Sequence, residues 1–295
     1  MQTITTHSHA KLNLRLKIIG RRTDGYHELS MLNVLIGLHD TLQIRLEGGD
    51  GSVLFSMKGR GSSEIPNDKG NLCVQAAIRL IERTQRNDVN ILIELDKRIP
   101  AGGGFGGGSS NAAAVLSAVH EALGQPLDEV ELAKLALSIG ADVPYFLRGA
   151  SQVCVGGIGE QLHIDRSSSL RSTPVFLILG LPHLGTPVVF QEAGYSTRME
   201  NSVKKPTNSF PEEYGLLLSL IQNDLEIAAS SLCGLLKETL AALRALNCGR
   251  VGMTGSGSGV FILPKDQTGF HIEDVEKLEE YCLSHALELV KSSII

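Results

Sequence analysis

Pro100-Ala101-Gly102-Gly103-Gly104-Phe105-Gly106-Gly107-Gly108-Ser109-Ser110-Asn111-Ala112-Ala113-Ala114 is the stretch that decides how this chain is read. Six of the seven residues from 102 to 108 are glycine. Glycine loses more freedom on ordering than any other residue, so such a run is kept where φ must be positive or where something approaches the backbone closely. A helical pattern follows, because residues 111–124 read NAAAVLSAVHEALG with Val115, Leu116, Val119 and Leu123 at helical spacing. Ser109 or Ser110 is expected to cap that helix. A strand-like run, Asn90-Ile91-Leu92-Ile93-Glu94-Leu95, lies upstream. A glycine loop entering a helix offers free N–H groups and a positive dipole end to an anion, most often phosphate. A flexible linker would not run from a strand into a capped helix.

Two familiar phosphate loops fail on their flanks. A Walker A loop has the spacing of Gly102 and Gly107, but Gly108 stands where its lysine belongs. The dinucleotide fingerprint is met by Gly102, Gly104 and Gly107, and Asp128 falls about twenty residues on, where the ribose-binding acid would be. That acid should end a second apolar strand. Asp128 instead follows Gln125-Pro126-Leu127 and, with Glu131 three residues later, reads as the N-cap of a helix over 129–139.

Composition bounds the rest. The 295 residues suffice for two domains, and 42% hydrophobic content is that of a globular core. Lys and Arg number 27 against 32 Asp and Glu, a net −5 with no basic cluster, which argues against a nucleic-acid partner. Five widely spaced cysteines (Cys73, Cys154, Cys233, Cys248, Cys282) without a Cys-x-x-Cys pair predict buried free thiols in a reducing compartment. Absence of a signal-type apolar segment and of any membrane-length run predicts a cytoplasmic chain with no membrane partner. His7, His9, His39, His120 and His163 have no partners at metal spacing and no metal site is expected from them. Strands and helices alternate irregularly, with β material concentrated before residue 65, which predicts an α+β fold. A polar serine run within 162–172 is the expected domain boundary, giving domains 1–165 and 166–295. Residues 50–67 carry no motif, and residues 198–212 read as a polar loop.

Three further segments carry chemistry-bearing residues. In Ala10-Lys11-Leu12-Asn13-Leu14-Arg15-Leu16-Lys17-Ile18, strand alternation puts Leu12, Leu14, Leu16 and Ile18 on one face and Lys11, Asn13, Arg15 and Lys17 on the other. By this pattern alone the polar face is solvated. Asp142, in Gly140-Ala141-Asp142-Val143-Pro144-Tyr145-Phe146, follows a helix end and is read equally well as a turn former. Val251-Gly252-Met253-Thr254-Gly255-Ser256-Gly257-Ser258-Gly259-Val260-Phe261 is a second glycine-serine loop, or a tight turn, leading into an apolar strand.

These motifs, in this order, resemble the GHMP small-molecule kinases. That family's phosphate loop reads Pro-x-x-x-Gly-Leu-Gly-Ser-Ser-x-Ala, matched here by Pro100, Gly104-Phe105-Gly106-Gly107-Gly108-Ser109-Ser110 and Ala112, with Phe105 for the usual leucine. Three glycines before the serines, Ala10-Lys11-x-Asn13-Leu14 and Asp24-Gly25-Tyr26-His27 are similar to the branch that phosphorylates a diphosphocytidyl polyol. The resemblance implies a ribosomal-protein-S5-like N-terminal domain and an α/β C-terminal domain with the active site in a cleft. It implies ATP-dependent phosphorylation of the C2 hydroxyl of 4-diphosphocytidyl-2-C-methyl-D-erythritol, on the non-mevalonate isoprenoid route. Small molecules are then the partners, with Mg²⁺ carried on the ATP phosphates, and oligomeric state is left open.

The resemblance also implies roles residue by residue. Lys11 and Asp142 are catalytic, Asp142 as the base. Pro100, Ala101, Gly102, Gly103, Gly104, Phe105, Gly106, Gly107, Gly108, Ser109 and Ser110 hold ATP, with Asn71 and Lys97 on the adenine side. Asn13, Tyr26, His27, Thr186 and Phe190 bind the acceptor, Tyr26 and Phe190 sandwiching the cytosine while His27 bonds its edge. The chain departs from the family where Ser8-His9 replaces a proline before Ala10-Lys11 and where Gly259 replaces a small side chain. Competing readings are a mevalonate- or homoserine-type kinase, against which Asp24-Gly25-Tyr26-His27 argues, and an inactive ligand sensor, against which the retention of Lys11 and Asp142 argues.

Overall fold

The computed structural model describes residues 1–166, 170–194 and 209–295. The serines at 167–169 and most of the loop expected at 198–212 lie outside the described residues. The chain divides into two compact units, each discontinuous in sequence. Met1–Ala10, Leu38–Ala101 and Gly106–Ala150 form the first; Lys11–Gly37, Gly102–Phe105 and Ser151–Ile295 form the second. Two long strands, β1 (Gln2–Arg21) and β2 (His27–Gly48), give residues to both.

In the first unit follow β3 (Val53–Gly59), α1 (Leu72–Thr84), β4 (Val89–Lys97), α2 (Gly107–Ala122), α3 (Glu129–Ile139) and α4 (Val143–Arg148). The strands order as β3-β4-β2-β1. β3 and β4 are parallel, joined through α1 as a parallel pair requires, whereas β4 and β2 are antiparallel with Ile44 opposite Ile93. Alternation sends Ile91, Ile93 and Leu95 of β4 and Leu42, Ile44 and Leu46 of β2 into one core with Ala76, Ala77 and Leu80 of α1 and Val115, Leu116 and Val119 of α2. Burying each branched side chain contributes about 1.5–3 kcal/mol, so this layer fixes where α2 begins relative to the end of β4. α3 spans the residues expected of it, and Asp128 Oδ1 accepts from Glu131 N at 2.8 Å, as the capping pattern predicts.

The second unit adds β5 (Gln152–Gly157), β6 (Gln161–Ile164), β7 (Pro174–Leu179), α5 (Thr186–Glu192), α6 (Tyr214–Leu220), β8 (Gln222–Asn223), α7 (Glu226–Leu232), α8 (Gly234–Leu246), β9 (Arg250–Met253), β10 (Val260–Leu263), α9 (Ile272–Ser284) and β11 (Glu288–Ser293). β5 pairs with residues 29–34 of β2, β6 with β5, and β8 runs parallel to β1 at Arg15 and Leu16. An antiparallel sheet of order β11-β7-β10-β9 completes it, and all of β10 is buried, which is why that strand is an unbroken apolar run.

All five cysteines are unbridged and buried, as their spacing predicts. Burial pushes the Cys73 and Cys154 thiols up to about 12, so both remain protonated and inert. No helix among the described residues is long and apolar enough to cross a membrane.

Candidate active site

Helix α2 begins inside the glycine run. Its N-cap is Gly106 at φ 73°, and Ser109 and Ser110 lie in the first turn rather than capping it. The expected serine cap is therefore corrected, and glycine is the reason: a left-handed cap strains any residue with a Cβ, and Gly106 takes it at no steric cost. Three amides, those of Gly107, Gly108 and Ser109, precede the first helical bond, Ser110 N to Gly106 O at 2.9 Å. They have no acceptor within the helix and point where an anion would sit. A Cβ at Gly108 would meet only Leu72 at 3.6 Å, so this side of the helix start is open. Ser110 instead donates its hydroxyl to His9 O at 2.7 Å, tying the first turn to β1.

Within the second unit, residues 102–105 pack on the loop between β9 and β10. Gly259 N donates to Gly103 O at 3.0 Å, and Thr254 Oγ1 lies 3.4 Å from Gly104 O. A Cβ at Gly259 would lie 2.2 Å from Gly103 O, which explains glycine at a position where the family usually has a small side chain. The tight turn that sequence allows at 251–261 is realised between β9 and β10, and residues 102–105 rest on it. The segment before α5 joins them: Ser258 Oγ donates to Pro182 O at 2.6 Å, Thr186 Oγ1 pairs with Ser256 Oγ at 2.8 Å, and His183 Nδ1 lies 3.0 Å from Gly102 O.

Lys11 and Asn13 do not sit on a solvated face. Lys11 is 4% exposed and Asn13 2%, against the solvated face that alternation alone predicts for them. The second glycine-serine loop supplies the cover. Asn13 N donates to Thr254 Oγ1 at 3.0 Å, Asn13 Oδ1 accepts from Gly255 N at 2.8 Å, and Asn13 Nδ2 donates to Asn33 Oδ1 at 2.7 Å. Lys11 Nζ donates to Asn13 Oδ1, and Lys11 N donates to Phe105 O at 3.0 Å. The lysine is thereby held against the phosphate-loop backbone by its own main chain. Both ends of the Asn13 amide are engaged within the protein.

Asp142 takes the N-cap position of α4, whose Pro144 needs no N–H partner in the first turn. Its carboxylate makes no capping bond, although aspartate at a helix start usually does. The carboxylate is thus not used as the turn former that sequence alone allowed. Ser109 Oγ lies 3.8 Å from where a Cβ on Gly140 would stand, so the first turn of α2 and the Gly140–Asp142 turn adjoin within the first unit.

At the other expected subsite His27 stacks on Phe190, with ring centroids 4.9 Å apart at 26°. Tyr26 is 61% exposed on the turn before β2. Burial, with Arg21's charge adding to it, lowers the His27 pKa from 6.5, so its imidazole is neutral near pH 7. On the expected adenine side both residues are committed internally. Asn71 caps α1, accepting from Cys73 N at 2.9 Å and donating to Pro66 O at 2.8 Å. Lys97 Nζ is buried at 2.6 Å from Asp40 Oδ2 and 3.2 Å from Asn111 Oδ1. Sequence reasoning missed Asp40 and His183. Strand parity carried a signal for the first, because Asp40 shares the buried face of Leu42, Ile44 and Leu46; nothing local marks the second.

Comparison with known proteins gives the family. The family model described as GHMP kinases N terminal domain matches residues 71–150, and that described as GHMP kinases C terminal matches 209–271. A protein of Brucella abortus biovar 1 (strain 9-941) named 4-diphosphocytidyl-2-C-methyl-D-erythritol kinase is 36% identical over 270 residues, 90% of this chain and 88% of its own. One of the same name from Polaromonas sp. (strain JS666) is 38% identical over 265 residues, 87% of this chain and 82% of its own. A crystal structure of 4-(cytidine 5'-diphospho)-2C-methyl-D-erythritol kinase is similar at 31% identity and TM-score 0.73, covering 98% of this chain and 99% of that one. Mevalonate kinase of Methanococcus jannaschii, at 15% identity and TM-score 0.68, shares the fold. With that identity carried over nearly the full length of its relatives, the chain belongs to the 4-diphosphocytidyl-2-C-methyl-D-erythritol kinase family of the GHMP kinases.

Proposed function

We propose that this protein transfers the γ-phosphoryl group of ATP to the C2 hydroxyl of 4-diphosphocytidyl-2-C-methyl-D-erythritol, releasing ADP and the 2-phosphate. The observation that carries the reading is the anion-binding start of α2 beside the turn that holds Asp142. The amides of Gly107, Gly108 and Ser109 suit the ATP phosphates, and the Cβ-free backbone before them permits close approach. Asp142 accepts the C2 hydroxyl proton as that oxygen bonds to the γ-phosphorus, and the bond to the β-phosphate oxygen breaks with its electrons leaving on ADP. A positioned base of this kind contributes about 10²–10⁴-fold. Lys11 offsets charge on the transferring group; its family role and the buried contacts with Asn13 and Phe105 O support this part.

The acceptor is a tertiary alcohol and a weak nucleophile, so positioning must supply much of the rate. Tyr26, His27, Thr186 and Phe190 are the proposed grip on the diphosphocytidyl group, remote from the reacting oxygen. Mg²⁺ fits as an ion carried on phosphate oxygens and waters, where it would neutralise phosphate charge. ATP supply and five buried free thiols support a cytoplasmic setting. We assign the ATP loop, Lys11 and Asp142 to a domain of residues 1–165, and the acceptor grip around Thr186 and Phe190 to residues 166–295.

The test is an ADP-release assay with the purified protein on three acceptors: 4-diphosphocytidyl-2-C-methyl-D-erythritol, mevalonate and homoserine. Turnover on the first at a kcat/KM at least a hundredfold above the others supports the proposal. Preference for mevalonate or homoserine contradicts it.

A further inference from the structure

We propose that Asp40 is a positioning residue for nucleotide binding, one buried carboxylate that pins both flanks of the glycine loop. The inference rests on the ATP reading above and adds what sets the loop's shape. Asp40 is fully buried on β2. Its Oδ1 accepts from Arg98 N at 2.6 Å and Ile99 N at 2.8 Å; its Oδ2 accepts from Lys97 Nζ at 2.6 Å and Asn111 Nδ2 at 2.8 Å.

Those donors lie on the two sides of the loop. β4 ends at Lys97, so the amides of residues 98 and 99 have left the sheet ladder, and Pro100 has no N–H to contribute. Asp40 supplies the acceptors those two amides need. Asn111 is four residues beyond Gly107, one turn into α2, and its Nδ2 also donates to Ser8 Oγ at 2.6 Å. Lys97 Nζ bridges the same groups and would lie 3.1 Å from a Cβ on Gly107, directly under the helix start. The lead-in to the loop and the first turn that follows it are therefore tied to one side chain.

A buried ion pair is weak support for stability by itself, because desolvation offsets the attraction. A fully hydrogen-bonded one fixes geometry. What this pair fixes is the position of the α2 amides relative to the end of β4, on which anion binding depends. It also explains why Lys97, the loop's nearest lysine upstream, is turned inward rather than toward the phosphates.

The test compares wild type with Asn111→Ala, Asp40→Asn and the double variant Asp40→Asn/Lys97→Met, each checked for folding by circular dichroism. ATP affinity is measured by calorimetry with MgATP, and KM is determined separately for ATP and for the cytidyl acceptor. Asn111→Ala keeps the Asp40–Lys97 pair and carries the test if Asp40→Asn does not fold. The expected result is a rise of tenfold or more in Kd and KM for ATP, with KM for the acceptor within twofold. Folded variants that melt earlier but bind ATP within twofold of wild type overturn the inference and leave the pair purely structural. Wild type that binds no MgATP overturns the kinase reading as well.

Discussion

Replacing Gly104 with alanine tests the contact between the two glycine-rich loops. Gly104 has φ +76°, and its Cβ would lie 2.1 Å from Thr254 O. Ordinary contact begins at 3.4 Å, so the loops must part by 3.4 − 2.1 = 1.3 Å, and the obstacle is backbone that cannot rotate away. Such a shift breaks Gly259 N to Gly103 O at 3.0 Å and Thr254 Oγ1 to Gly104 O at 3.4 Å. Left-handed geometry costs about 1–2 kcal/mol and each lost bond about 1 kcal/mol, so the expected loss is about 3–4 kcal/mol. At about 2.1 cal/mol/K of unfolding entropy per residue, that lowers Tm by about 5–6 °C for a chain of this size in scanning calorimetry. Because Phe105 O receives Lys11 N, kcat should fall with it. Gly149→Ala is the control: φ is +61° and nothing lies within 4 Å of the added carbon, so only the conformational cost remains. Gly104→Ala losing no more stability than Gly149→Ala would refute the loop-on-loop argument.

Asp142→Asn should keep wild-type Tm, since the carboxylate caps nothing, and lose about 10²–10⁴-fold in kcat; near-normal turnover would remove the proposed base. Tyr26→Ala should weaken the cytidyl acceptor by about 1–3 kcal/mol while leaving ATP affinity alone, and titration calorimetry with each ligand separates the two. The His27 pKa is held below 6.5 by burial and Arg21, so the ring gains its proton only as pH falls through that lowered value. Acceptor KM should accordingly be flat above pH 6.5 and rise below it, and the rise should vanish in His27→Gln. Persistence of the acid limb in that variant would assign it to another group.

Elements with strong local signals were legible from sequence. The Asp128–Glu131 capping pair sets the start of α3, and the strand-like run from Asn90 to Leu95 lies within β4. What periodicity cannot register is a helix start made by backbone conformation, so α2 was expected to begin at a serine when Gly106 begins it. Alternation sorted Lys11 and Asn13 onto one face correctly but said nothing of what covers that face. The cover is Thr254 and Gly255, more than two hundred positions away. The ion pair of Lys97 with Asp40 is hidden from sequence for a related reason, because the two lie 57 residues apart. The stack of His27 on Phe190 likewise joins two segments that no spacing rule connects.

The most direct measurement is phosphorus NMR of the purified protein with ATP, Mg²⁺ and 4-diphosphocytidyl-2-C-methyl-D-erythritol. Phosphate placed on the tertiary C2 oxygen has no proton on its ester carbon, so its resonance carries no three-bond proton splitting. The account requires one such unsplit monophosphate signal, at a shift distinct from that of added inorganic phosphate, to grow in step with ADP while the diphosphate bridge stays intact. ADP without a new ester, or a monophosphate signal split by carbon-bound protons, would contradict it.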